Sequence, residues 1–106
     1  MVATCLQLNE GVRQMFKLLL SCTGVPAPAG PAAAIDITRE FAVHRPWYKN
    51  VRCTFDGSKL LLEAESDVDD DGLALSDEFS DCLSAYIREP FDGDIRVESV
   101  SSAPTA

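Results

Sequence analysis

The densest chemistry in this sequence lies between residues 67 and 78, where Asp67, Asp69, Asp70, Asp71, Asp77 and Glu78 crowd around Gly72. Carboxylates packed this closely repel one another unless something neutralises them. The alternate ones, Asp67, Asp69 and Asp71, can converge on one hard cation if the chain reverses at Gly72. Oxygen donors in that number suit calcium, since magnesium keeps its waters and demands a tighter octahedron. The same residues also make a good solvated turn leading into a helix, because Asp and Gly tolerate turn geometry.

The pattern Asp67-x-Asp69-x-Asp71-Gly72, followed by five residues and Glu78, resembles the calcium loop of EF-hand proteins. The resemblance implies a Ca2+ ligand set of Asp67, Asp69, Asp71, the Leu73 carbonyl and Glu78, the last giving two oxygens. Phe79, Cys82, Leu83 and Tyr86 are spaced like the apolar positions of the family's outgoing helix. The entry side departs from the family, because Ser66 stands where a large apolar residue is usual and residues 59–66 read as a strand. Ala74 and Leu75 depart as well, and the chain has no second loop. A strand-loop-helix site for one calcium ion is therefore expected, not an EF-hand domain.

A second constellation is His44-Arg45-Pro46-Trp47-Tyr48-Lys49-Asn50-Val51-Arg52, which interleaves basic and aromatic side chains. Single-strand nucleic-acid platforms combine such groups to stack bases and neutralise phosphates. Here the run is short and alone, and it reads better as a connection turned by Pro46. Trp47, Tyr48 and Arg45 are the expected protein contact, since Trp, Tyr and Arg dominate interface energetics. His44 could act as a general base and Cys53 or Cys82 as a nucleophile. No nucleophile elbow, phosphate loop or dinucleotide fingerprint accompanies them, so no enzyme is expected.

The length of 106 residues fits one domain, and 46% apolar residues are enough for a packed core. Nine basic against seventeen acidic side chains leave a net charge of −8. The charge is uneven: residues 1–62 carry seven basic and four acidic groups, residues 63–106 two and thirteen. That balance argues against nucleic acid or an anionic membrane as partner and suggests pairing between the two halves, within one chain or between two. The four cysteines, at 5, 22, 53 and 82, lack metal or disulfide spacing and fall on apolar faces, which suggests free thiols and a cytoplasmic setting. Leu19-Leu20-Ser21-Cys22 has the form of a lipobox, but the apolar run before the cysteine is only Leu18–Leu20. Arg13 and Lys17 interrupt the one candidate for a membrane span.

These residues must be positioned by a few elements. Thr4-Cys5-Leu6-Gln7 has the form of a capping box. Behind it Cys5, Leu8, Val12, Met15, Leu19 and Cys22 recur at helical spacing up to Gly24 and Pro26, predicting a helix. Residues 25–34 read as an exposed Pro/Ala linker, and Ile35, Ile37, Phe41 and Val43 as a strand near 35–44. A hairpin through Asp56-Gly57 joins a strand at 51–55 to one through Leu60, Leu62 and Ala64. Ser76 is the expected N-cap of a helix from 77 to 89 closed by Pro90, followed by a strand at 95–100 and a disordered tail at 101–106. The predicted class is α+β, order α-β-β-β-α-β, with a mainly antiparallel sheet and helices on one face. The expected function is that of a small acidic intracellular binding domain whose partner is another protein or a second copy. The predicted order is similar to that of type III secretion chaperones, which implies a chaperone-like dimer as the alternative. A small enzyme using His44 is a third reading, without a motif of its own.

Overall fold

The computed structural model describes residues 13–89 and 91–105. The elements are β1 (Arg13–Thr23), a 3-10 turn (Ala27–Ala29), α1 (Gly30–His44), β2 (Lys49–Phe55), β3 (Leu60–Ser66), α2 (Leu73–Tyr86) and β4 (Asp94–Thr105). The sheet order is β2-β3-β1-β4, and all neighbours are antiparallel. This interleaving is the split β-α-β topology of ferredoxin-like folds. Both helices share one apolar core with one face of the sheet, so the α+β class holds. The order differs from the predicted one at its start, where the described residues give a strand and then a helix in place of a helix and then a strand.

The helix expected to run to Cys22 is replaced by β1, while Thr4–Gln7 and Cys5 lie outside the described residues. An apolar run such as Leu18-Leu19-Leu20 fits a helix stripe and a buried strand equally well. The strand forms because β1 is central, pairing with β3 from Phe16 to Cys22 and with β4 along its whole length. Leu18, Leu20 and Cys22 enter the core, and Lys17, Leu19 and Ser21 occupy the open face. Leu19 is apolar and half-buried although it lies on the open face, so the strand lacks a clean polar alternation.

The expected linker and the strand at 35–44 are also corrected: together they form the 3-10 turn and α1. Proline is compatible with a first helical turn, whose N–H groups have no intrahelical acceptor, and Pro31 sits there. Ala32, Ala33 and Ala34 then supply the best helix formers. Ala33, Ala34, Ile37 and Phe41 make the buried stripe at spacings of three and four, while Ile35 and Val43 face outward. Their alternation in sequence imitates a strand. The small residues let α1 sit close to β2: a Cβ on Gly30 would lie 2.5 Å from the Phe55 ring. Thr38 adds a polar tie, its Oγ1 accepting the backbone N–H of Cys53 at 3.0 Å.

The β2–β3 hairpin is where the sequence places it. Phe55 pairs with Leu60, Gly57 takes a φ of +99°, and the Asp56 carboxylate accepts the N–H groups of Ser58 and Lys59 at 2.9 and 2.8 Å. β2 carries a bulge between Lys49 and Arg52, where Asn50 adopts a φ of +52°. β4 is longer than predicted, because residues 101–105, expected as a tail, pair with Lys17 back to Arg13. It too is bulged, opposite Leu19 and Leu20. α2 begins four residues before the predicted start, after Gly72 at a φ of +80°, and ends at Tyr86; Pro90 lies outside the described residues.

Gly30→Ala tests the close approach of α1. It is expected to lower stability by about 1–3 kcal/mol, the usual range for overpacking, read from the urea midpoint at unchanged slope. In a Phe55→Leu background the same change should cost less than half as much.

Candidate functional site

Topology brings most of the chemistry-bearing residues to one end of the molecule. Lys49 opens β2 opposite Glu65 of β3, so the 45–48 connection and the 67–72 loop leave the sheet at the same end. α1 finishes there, while α2 starts further in, after Gly72, which packs against Val97 and Leu20, and its later turns meet the end of α1. The two helices are clamped at that end by Arg45, whose Nε donates to Glu78 at 2.6 Å and whose Nη1 donates to Glu40 at 2.7 Å. The guanidinium also lies 5.5 Å from the centre of the Phe41 ring. Tyr86 closes the network by donating its hydroxyl to the other Glu40 oxygen at 2.7 Å.

The acidic loop is held from within. Ser66, buried at the end of β3, accepts the N–H groups of Val68 and Asp69 at 3.2 and 3.0 Å, which accounts for a serine at this position. Asp69 is buried and accepts the N–H of Gly72 on one oxygen and that of Leu75 on the other, at 3.0 and 2.9 Å. Asp71 accepts the N–H of Leu73 at 3.0 Å. These carboxylates supply acceptors to the N–H groups that a helix start leaves unpaired, and they sit at the positive end of the α2 dipole. The expected N-cap, Ser76, instead lies inside the helix and donates its backbone N–H to Gly72.

Of the proposed calcium ligands, Asp69 and Asp71 therefore turn toward the backbone and Glu78 toward Arg45. Asp67 is exposed at the mouth of the loop, and Leu73 begins α2. Among the described residues no group of three or more His, Cys, Asp or Glu side chains is gathered as a metal site. The strand-loop-helix course expected from the sequence is present, and the five residues are spread along it.

The three expected partner residues separate sharply. Arg45 is consumed by the clamp, and Tyr48 is 7% exposed, edge-on to Phe41 at 5.6 Å between ring centres. Only Trp47 faces solvent, 54% exposed and 6.3 Å from the Tyr48 ring. Val43 in the last turn of α1, 62% exposed, and Val68 in the loop after β3, 79% exposed, lie toward the same end, whereas Leu73, 62% exposed, opens α2 next to Gly72 over the sheet. Sequence reading missed these three because Val43 fits a strand pattern and Val68 and Leu73 stand inside the apparent metal motif.

No family model, curated protein or solved structure matches this chain. The site has to be judged on its own chemistry. The described thiols are buried: desolvation pushes Cys53 up to about 12 and Cys82 up to about 11, and raises Cys22 as well. Thiols so raised are poor nucleophiles near neutral pH. His44 ends α1, exposed, with its charge acting on Glu40. On the open face of the sheet a shallow depression of about 410 Å3 is lined by Lys17, Arg52, Glu63, Glu65 and small polar groups, with Arg52 and Glu63 paired at 3.0 Å. The described open-face positions of its two central strands include no aromatic ring on which a base could stack.

Two outcomes test this geometry. Asp69→Ala should destabilise the fold by about 2–3 kcal/mol, since it removes two backbone bonds to a buried carboxylate, and Asp67→Ala should cost far less. Equal losses for the two variants, both erased by a chelator, would instead indicate a cation in the loop. The second concerns pH. The Tyr86 hydroxyl, then Arg45, hold Glu40 below its ordinary 4.5, and the same bond raises Tyr86 above its ordinary 10.0. The Glu40 contribution is thus complete above the ordinary carboxylate value and lost as pH falls through the lowered one. The Tyr86 contribution is complete below the ordinary phenol value and lost as pH rises through the raised one. The stability difference between wild type and Glu40→Gln should accordingly be widest near neutral pH and shrink toward both extremes.

Proposed function

We propose that this chain is a non-catalytic binding module whose partner is a protein, contacted through the end of the sheet that carries Trp47. The observation that carries the reading is the exposure of Trp47, Val43 and Val68 toward one end of a molecule in which, among the described residues, most other large apolar side chains, Ile35 and Leu73 apart, are enclosed. Exposed apolar groups gathered in one region, rimmed by polar ones, mark interaction surfaces far more than scattered ones do. Trp47 is held by rigid neighbours, Arg45 in its clamp and Tyr48 in the core, so little side-chain freedom is lost when it is covered. The raised thiols support a role without nucleophilic chemistry.

The test is retention of a protein by variants that keep their fold. Trp47→Ser and Val68→Ser should each lose at least about tenfold in affinity for a protein that wild type retains, as expected for interface anchors. Ile35→Ser, an equally exposed change toward the other end of α1, should retain it, and melting temperatures should match throughout. Equal retention by all variants would end the reading. If the species lost is a second copy of the chain, sizing over a range of concentrations identifies it.

A further inference from the structure

Resting on that reading, we infer that the partner is a basic amphipathic segment of another protein, seated with its apolar face on Trp47 and Val68. The reason lies in which charges the fold leaves over at this end. Arg45 sets one positive charge against the two carboxylates of Glu40 and Glu78, and Asp69 and Asp71 are engaged by the start of α2. Asp70, two residues beyond Val68, and Asp77, next to the clamped Glu78, are exposed, and among the described residues neither makes an ion pair. The basic groups nearby are Arg45, held in its clamp, Lys49, whose Nζ donates to the Pro46 carbonyl at 3.0 Å, and Lys17, which like Lys49 stands opposite Glu65.

Carboxylates thus outnumber cations around the exposed apolar groups, and the charge at this end is net negative. A second copy, with a net charge of −8, would bring like charge to the same place, and an anionic lipid surface would be repelled as well. A segment with lysines or arginines on one face and aliphatic side chains on the other meets both requirements: it covers Trp47 and Val68 and places its cations toward Asp70 and Asp77.

Trp47 is the single tryptophan, so its emission reports occupation of this end directly. The probes are three short helical peptides with the same leucine face and a polar face of lysine, glutamine or glutamate, titrated with a chelator present. The lysine peptide should saturate and shift Trp47 emission to the blue, and binding should weaken about tenfold or more between about 0.05 and 0.5 M salt. Asp70→Asn with Asp77→Asn should weaken it strongly. Glu89→Gln with Asp92→Asn, which removes the same charge at the far end, should change it less than about twofold. Equal weakening by both pairs would mean diffuse attraction and overturn the inference. Equal binding of the glutamine peptide would overturn the partner's charge while leaving Trp47 as a contact. If no peptide moves Trp47, yet Trp47→Ser still loses a retained protein, the partner chemistry is wrong and the binding reading stands. If both experiments fail, both fall.

Discussion

One guanidinium decides how this small fold ends. Arg45 leaves the last turn of α1 and joins Glu40 of its own helix to Glu78 of α2, in a position only 16% exposed. Two carboxylates with separate orientations need the forked donors of arginine, which the single ammonium of lysine cannot reproduce. With the clamp in place the connection to β2 can only run across the end of the core, so Tyr48 turns in and Trp47 turns out. What the molecule presents to others at this end is thus a by-product of how it closes on itself.

The same economy of carboxylates explains the acidic loop. A run that matches a calcium loop in spacing is occupied by the backbone: Ser66 turns the chain at the end of β3, and Asp69 gathers the first N–H groups of α2. Capping and cation binding call for the same residues, oxygen acceptors close to a flexible glycine, because a helix start is itself a site of partial positive charge. Spacing alone cannot separate the two.

How far the sequence was legible follows from where local and long-range forces agree. The β2–β3 hairpin was readable because Asp56-Gly57 and the alternation around it are local signals that tertiary pairing reinforces. The core stripe of α2, Phe79, Cys82 and Leu83, was readable for the same reason, although its start was not, since the cap comes from Asp69 across the loop. β1 was hidden by its central place in the sheet, which makes Leu19 on the open face look like part of a helix stripe. α1 was hidden by Pro26, Pro28 and Pro31, which suggest a linker, and by the exposed Ile35 and Val43. At the candidate site Trp47 was legible from residue type. That Arg45 and Tyr48 would be withdrawn from solvent depends on Glu78 and Phe41, which only the fold brings near.

The uneven charge also finds a use, since the strand order threads the more basic first half between pieces of the acidic second half, and Arg45–Glu78 and Arg52–Glu63 both cross from one to the other. The outer strands have a separate task. An edge whose amides all lie in one plane is an invitation for sheets of neighbouring molecules to join and grow into fibres. Here both outer strands are kinked, β2 at Asn50 and β4 opposite Leu19 and Leu20. Each kink throws part of the row out of line. The molecule can thus be crowded without its sheets fusing side by side.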